Sequence, residues 1–260
     1  MSQEKSLPPG MAALWQRPGE RARPGPRPGL TLERVTAAAV ALADAEGLGA
    51  VSMARVAQRL DVTTMALYRY VAGKDELLDR MCDAALAAPP PVGDGRPWRD
   101  QLAAWCRAQL DLVAGHPWVV RLSVLAPIGP NRLRWIEDGL AALDDTPLPV
   151  DLRVAVIGML SLHVFTEGQL IAAIADEQAG RTTEPHPALI DYGALLRPVV
   201  DAEQHPRVAD ALAHGAFDAD GGEDSRAQQD FALAILLDGV AALVTRFEHR
   251  GMSVDPGPQR

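Results

Sequence analysis

From Thr31 to about His249 the apolar residues recur at three- and four-residue steps, the spacing of one helix face. No set of strand-like segments and no internal repeat interrupts them. The expected class is all-α. The first unit shows how the pattern is punctuated. Thr31 is a candidate N-cap without a full capping box, since Arg34 stands where Glu or Gln would reach back. Val35, Ala38, Ala39, Leu42 and Ala45 then share a face, and Gly47 ends the run. Ser52 caps a second helix, "MARVAQRL", and a third segment, "VTTMALYRYV", stops at Gly73. A fourth helix starts near Lys74, with Asp75 and Glu76 placed to complement its N-terminal dipole and Leu77, Leu78, Met81, Ala85 and Leu86 as its apolar stripe. The cluster "APPPVGDGRP" at 88–97 closes this unit, and further helices are expected to about 249, the longest over about 149–178 and 225–249, with a loop-rich stretch between them.

Composition narrows the setting. Two cysteines, Cys82 and Cys106, form neither a zinc knuckle nor a disulfide framework. No signal peptide and no apolar run near the ~20 residues of a membrane span is visible, so a cytoplasmic protein with no membrane partner is expected. The formal net charge of −9 argues against nucleic acid until it is divided. Residues 1–80 carry 11 basic and 9 acidic side chains, a balance of +2, and the remainder carries 14 and 25, a balance of −11. A small anion-binding module on an acidic body fits that asymmetry. Residues 1–29, with "QRPGERARPGPRPG" and Arg17, Arg21, Arg23 and Arg27, are expected to form a flexible basic arm with no regular helix.

The stretch "LDVTTMALYRYVAGKDELLDRM" (60–81) carries the chemistry. A helix-turn-helix needs a small residue where its helices nearly touch, a residue tolerant of left-handed backbone in the turn, and a bulky apolar residue facing back from the second helix. Ala57, Asp61 and Leu67 stand at those places, with Val56, Leu60, Val62 and Val71 as further core. Thr63, Thr64, Met65, Tyr68 and Arg69 then project outward, able to bond phosphates and base edges or to touch a thymine methyl.

"SMARVAQRLDVTTMALYRYVAGKDELLDRM" resembles the DNA-binding module of the tetracycline-repressor (TetR) family of bacterial regulators, most specifically in "LYRYVAGKDELL". The likeness covers 31–87 strongly and, more weakly, the layout of 97–249, where "VFTEGQL" and "DEQ" resemble the long interface helix of the tetracycline-repressor type of ligand domain. It implies a three-helix DNA-binding domain over 30–88, its last helix a connector, and a helical ligand-binding and dimerisation domain over 97–250. It also implies a homodimer that binds a palindromic double-stranded operator and releases it when a small organic effector fills the second domain. Carried over by position, Thr64, Met65, Tyr68 and Arg69 belong to the recognition helix, Tyr70 and Lys74 to phosphate contacts, and Ser52 and Met53 to the backbone beside the second helix. Ala54 stands where some members read a guanine with arginine, so that contact is missing.

In the second domain "VAVIGMLSLHVF" (154–165) and "FALAILL" (231–237) are apolar nearly all round, as helices are that bury a second face against a partner. Two such helices per chain make a four-helix interface in a two-fold dimer, with Leu160 and Leu236 as expected interface positions and Gly158, Gly168 and Gly239 permitting close approach. Candidate effector contacts are the polar or aromatic residues on apolar helices: Trp105, Gln109, Trp135, His163, Phe165 and Glu167, each of which also fits ordinary core packing. The loop "VLAPIGPNR" has Leu125 where the tetracycline repressors hold a drug-bound magnesium through histidine, so no metal and no cofactor is expected and an apolar organic effector is. Two other classes compete. An adaptor that binds DNA or protein without a ligand fits the same helices. An all-α enzyme fits less well, because no H-E-x-x-H spacing, phosphate-cradling glycine loop or nucleophile elbow is present.

Overall fold

A computed structural model describes residues 9–15, 30–86, 93, 95–123, 127–182, 191–217 and 225–252. Its order is α1 (Pro9–Trp15), α2 (Leu32–Glu46), α3 (Met53–Arg59), α4 (Thr64–Leu67), α5 (Lys74–Ala85), α6 (Trp98–Gly115), α7 (Val120–Ser123), α8 (Pro130–Ala141), α9 (Val150–Gln178), α10 (Tyr192–Leu196), α11 (Pro206–Ala213) and α12 (Ser225–Met252). Short 3-10 turns cover Leu48–Ala50 and Pro117–Val119, and no strand occurs among the described residues. The chain divides into a unit of residues 1–172 with 240–260 and a unit of residues 173–239.

Helix α2 begins and ends where its sequence says. The Thr31 side chain accepts from the Arg34 N–H at 3.2 Å, and Gly47, at φ 83°, supplies the backbone that stops it. Val35, Ala39, Leu42 and Ala43 are buried against Val56, Ala57, Leu67, Val71, Leu77, Met81, Cys82 and Ala85 from α3 through α5. Trp118 and Val119, from the turn after α6, complete the same cluster. The core of the DNA-binding module is therefore closed by residues more than thirty positions beyond it. Burial raises the thiols of Cys82 to about 11 and of Cys106 to about 12, which leaves them as small core hydrophobes at neutral pH.

Two expectations are corrected. The arm is expected to hold no helix, yet α1 forms over Pro9–Trp15 and buries Ala13 and Leu14. The proline and arginine density that dominates 16–29 hides the apolar "GMAALW" before it. Arg17, Arg21, Arg23 and Arg27 lie outside the described residues. Second, Leu160 does not face outward: it is fully buried, whereas Leu162 is 65% exposed. An all-round apolar helix does not reveal which face is inner. Separately, α9 passes a test of length and composition for crossing a membrane. Its uncharged stretch, 154–166, is shorter than the ~20 residues of a span. Val156, Ile157, Leu160 and Val164 are buried along one side of it.

The unit of residues 173–239 holds α10, α11 and parts of α9 and α12. The Asp191 carboxylate caps α10 by accepting from the Ala194 N–H at 2.8 Å, and Gly193 N–H donates to Phe217 at 2.9 Å.

Candidate functional site

The turn between α3 and α4 is what aims the recognition residues. Asp61 is the only non-glycine residue with positive φ among those described, at 53°. Val62 N–H donates across the turn to the Ala57 carbonyl at 3.0 Å, an approach that the small, buried Ala57 side chain allows. Thr63 caps α4, its hydroxyl accepting from the Ala66 N–H at 3.3 Å, and Leu67 points into the core. Helix α4 is only four residues long, and Tyr68, Arg69 and Tyr70 follow it in a turn.

The structure sorts the expected DNA contacts. Thr64, Met65 (74% exposed), Tyr68 (51% exposed), Arg69 and Lys74 stand in solvent. Thr63 is exposed, but its hydroxyl oxygen is engaged by the cap, leaving its O–H to donate. Ser52 is half-buried and caps α3 through the Arg55 N–H at 3.3 Å. Met53 packs against the core and Tyr70 is half-buried, so neither offers its whole side chain. Lys74 opens α5, whose first turn is anchored where Glu76 accepts from the Ala72 N–H at 2.7 Å.

Among the expected effector contacts, the structure joins Trp105 and Trp135. Their rings meet edge to face at 6.1 Å. The Trp105 indole donates to the Trp135 carbonyl at 2.9 Å, and the Trp135 indole to the Leu86 carbonyl at 3.3 Å. Both polar ends are thus engaged within the fold, and only ring faces and edges remain for a ligand. Gln109 is half-buried and donates to the Trp105 carbonyl at 3.3 Å. Phe165 packs elsewhere, against Val113, Val120 and Ala172. Glu167 is half-buried. His163 differs from all of these: its Nε2 is buried and has no hydrogen-bond partner. A buried ring nitrogen without a partner costs stability, so this atom has bonding capacity that the fold itself does not use. Leu125 lies outside the described residues, and no group of three or more His, Cys, Asp or Glu that could hold a metal occurs among those described.

Sequence reasoning missed the residues that tie the DNA-binding module to the helices after it. Asp83 of α5 caps α8 from outside, its carboxylate accepting from Asn131 N–H at 3.1 Å and Arg132 N–H at 3.3 Å. A Cβ at Gly129 would overlap that carboxylate, so glycine is required there. Asn131 Nδ2 returns a bond to the Asp83 carbonyl at 2.9 Å. Burial pushes the Asp83 carboxyl above the usual range, and the two backbone donors partly offset this. Asp44, at the end of α2, makes a second tie. Its Oδ1 meets His116 Nδ1 at 2.7 Å and accepts from the Trp118 indole at 2.7 Å. No local motif announces either tie, because each partner is distant in sequence.

Comparisons with known proteins meet this geometry. Residues 35–81 match the model of bacterial regulatory proteins of the tetR family, and residues 90–244 match that of the tetracyclin repressor-like C-terminal domain. The chain is 37% identical to the HTH-type transcriptional repressor DrrR1 of Streptomyces coeruleorubidus over 92% of its own length and 87% of that protein's. It resembles the Streptomyces coelicolor TetR family protein ActR in complex with actinorhodin at 27% identity and a TM-score of 0.67, covering 84% of this chain and 98% of that one. It resembles BioQ bound to its natural double-stranded DNA operator at 26% identity and a TM-score of 0.51, over 58% of this chain and 93% of that one. A left-handed Asp61 turn that presents Thr64, Met65, Tyr68 and Arg69 and a helical C-terminal domain matched over 90–244 agree on one conclusion: the chain belongs to the tetR family of bacterial transcriptional regulators.

Proposed function

We propose that this regulator acts as a homodimeric repressor that reads a palindromic operator and lets go when a small, largely apolar organic effector binds. The observation that carries the reading is the solvent-facing row Thr64, Met65, Tyr68, Arg69 and Lys74, aimed by the Asp61 turn. Thr63 and Ser52 add donors to phosphate, and Met53 and Tyr70 contribute only what the core leaves free. The DNA-binding domain occupies 30–88 and the effector and dimerisation domain 97–250. BioQ bound to an operator duplex supports the first half of the reading, and ActR bound to actinorhodin supports the second.

His163 Nε2 offers the effector its polar contact, with Trp105, Gln109, Trp135, Phe165 and Glu167 as the surrounding candidates. A second copy covers two exposed apolar rows at four-residue spacing: Val154, Gly158 and Leu162 on α9, and Phe231, Ile235 and Gly239 on α12. A Cβ at Gly158 or Gly239 would meet nothing within 4 Å in the protomer, so both glycines leave room for a neighbouring backbone. Two-fold symmetry then places two recognition helices about 34–36 Å apart, one turn of the duplex.

Selection of bound duplexes from a random pool tests this directly, followed by titration of the complex with actinorhodin and smaller polycyclic aromatics, with and without chelator. The reading expects an inverted repeat, release that does not need magnesium, and a requirement for about tenfold more ligand in His163→Ala, the weight of one lost buried polar contact. Leu162→Glu should yield monomers or aggregates by light scattering and lose the operator. A non-palindromic site bound by a stable monomer would overturn the proposal. Release by no compound of this class would favour the ligand-free adaptor, to which the internally satisfied tryptophan pair lends some support.

A further inference from the structure

Helix α1 lies across the seam between α5 and the start of α8. Its Ala13 carbonyl accepts from Arg80 Nη2 of α5 at 2.8 Å. Arg80 is nearly buried and paired with Glu76 at 2.7 Å, and the other oxygen of Glu76 holds the Ala72 N–H at 2.7 Å, two residues after the turn that carries Tyr68 to Tyr70. On the far side, the Trp15 indole donates to the Ile128 carbonyl at 2.9 Å, one residue before Gly129 and the Asp83-capped start of α8. Gly10 makes the close approach possible. A Cβ there would sit 3.1 Å from Asp79 Oδ2 on α5 and 3.5 Å from Pro127 Cγ. Short as it is, α1 reaches both sides of the joint at both of its ends.

We propose that α1 is a brace, a segment ahead of the DNA-binding domain that pins α5 to the loop before α8 and so fixes the position of the recognition residues. Ala13 to Arg80 to Glu76 to Ala72 forms a continuous line of bonds from the brace to the turn beside the DNA-facing row. A segment held at several points moves less, and DNA binding favours a pre-positioned surface because less ordering remains to be done on association. The braced position is therefore the operator-competent one. An effector that shifts α5 must break the brace as well as the Asp83 cap, and weakening the brace lowers what the effector must supply. This functional half rests on the operator and effector reading above. The physical half does not.

The test uses the full-length chain with Trp15→Phe, which removes one donor, and Gly10→Leu, which pushes the helix off Asp79. Trp15 is 40% exposed, so its replacement leaves the core intact. Hydrogen exchange should accelerate about fivefold, the equilibrium weight of one net hydrogen bond, at amides of residues 78–86 and 131–133 and stay unchanged at 156–164. Affinity for the duplex site recovered by selection should fall by a similar factor while binding to random duplex stays the same. Unchanged exchange at 78–86 and 131–133 in both variants would overturn the brace. Faster exchange with unchanged or tighter binding to the selected site would overturn its role in holding the operator-competent position. Failure to recover any selected site would count against the operator reading and leave exchange to decide the brace.

Discussion

The helix-turn-helix at 53–71 and the junction at 80–135 are held by contacts of different range. In the first, the decisive bonds span five residues or fewer: Ser52 to Arg55, Ala57 to Val62, Thr63 to Ala66. In the second they span 30 residues for Trp105 to Trp135, 48 for Asp83 to Asn131, 72 for His116 to Asp44 and 113 for Trp15 to Ile128. The recognition surface is thus a local structure, while its position in the molecule is set by a network with no local signature. This division suits a regulator: the reading surface is fixed by its own turn, and the bonds that position it lie elsewhere.

The shared core puts that division under the greatest strain. Leu67 is fully buried in the cluster that Trp118 and Val119 complete. Leu67→Ala should cost about 2–5 kcal/mol, the usual range for an aliphatic core truncation. Because Trp118 shares the cluster, tryptophan fluorescence and circular dichroism should fall together in one transition. A separate early melt of the helix-turn-helix, with fluorescence unchanged, would show that the two regions are independent. The junction itself is sharpened by Asp83. Asp83→Ala removes the cap of α8 and should cost about 1–2 kcal/mol by urea unfolding, whereas Asp83→Asn keeps an acceptor and should be close to neutral. The pH dependence comes from the raised carboxyl. Below 3.8 the folded and unfolded chains both hold this proton. As pH rises through the elevated folded value, ionisation favours the unfolded chain, so the contribution of Asp83 declines with pH. The stability of wild type relative to Asp83→Asn should therefore fall as pH rises through this window; a relative stability that grows with pH would contradict the burial argument. A smaller effect tests the local side. Asp61→Gly relieves the left-handed strain and should gain up to about 1 kcal/mol, while Asp61→Val should lose about 1–2 kcal/mol. Equal values would mean that the turn does not hold the φ described.

Range also decides how much is legible in the sequence. The all-α class, the helix caps at Thr31 and Ser52, and the Ala57, Asp61 and Leu67 triad are readable from spacing because each is decided within one or two turns of chain. The exposure of Thr64, Met65 and Tyr68 comes with that triad. Met53 is expected beside the DNA backbone, and the structure half-buries it against the core, since a first-turn residue can lean either way. Leu160 is misplaced by its pattern because α9 is apolar on both sides, so periodicity carries no phase. Helix α1 escapes notice because its six residues of favourable sequence sit beside a proline- and arginine-rich run. Asp83, Asp44 and Gly129 give no sign at all: a capping aspartate forty-eight residues from its helix is indistinguishable in sequence from a solvated one.

The central claim is that the exposed row after the Asp61 turn reads DNA while Lys74 only anchors it. The most direct measurement is affinity against salt concentration, for the selected site and for a random duplex of equal length, in wild type, Tyr68→Ala and Lys74→Ala. Lys74→Ala should weaken both duplexes alike and flatten the logarithmic salt slope by about one unit. Tyr68→Ala should leave the slope and the random duplex unchanged and weaken the selected site by about tenfold or more, the range of one base contact. Equal losses on both duplexes in Tyr68→Ala, or a salt slope indifferent to Lys74, would contradict the account.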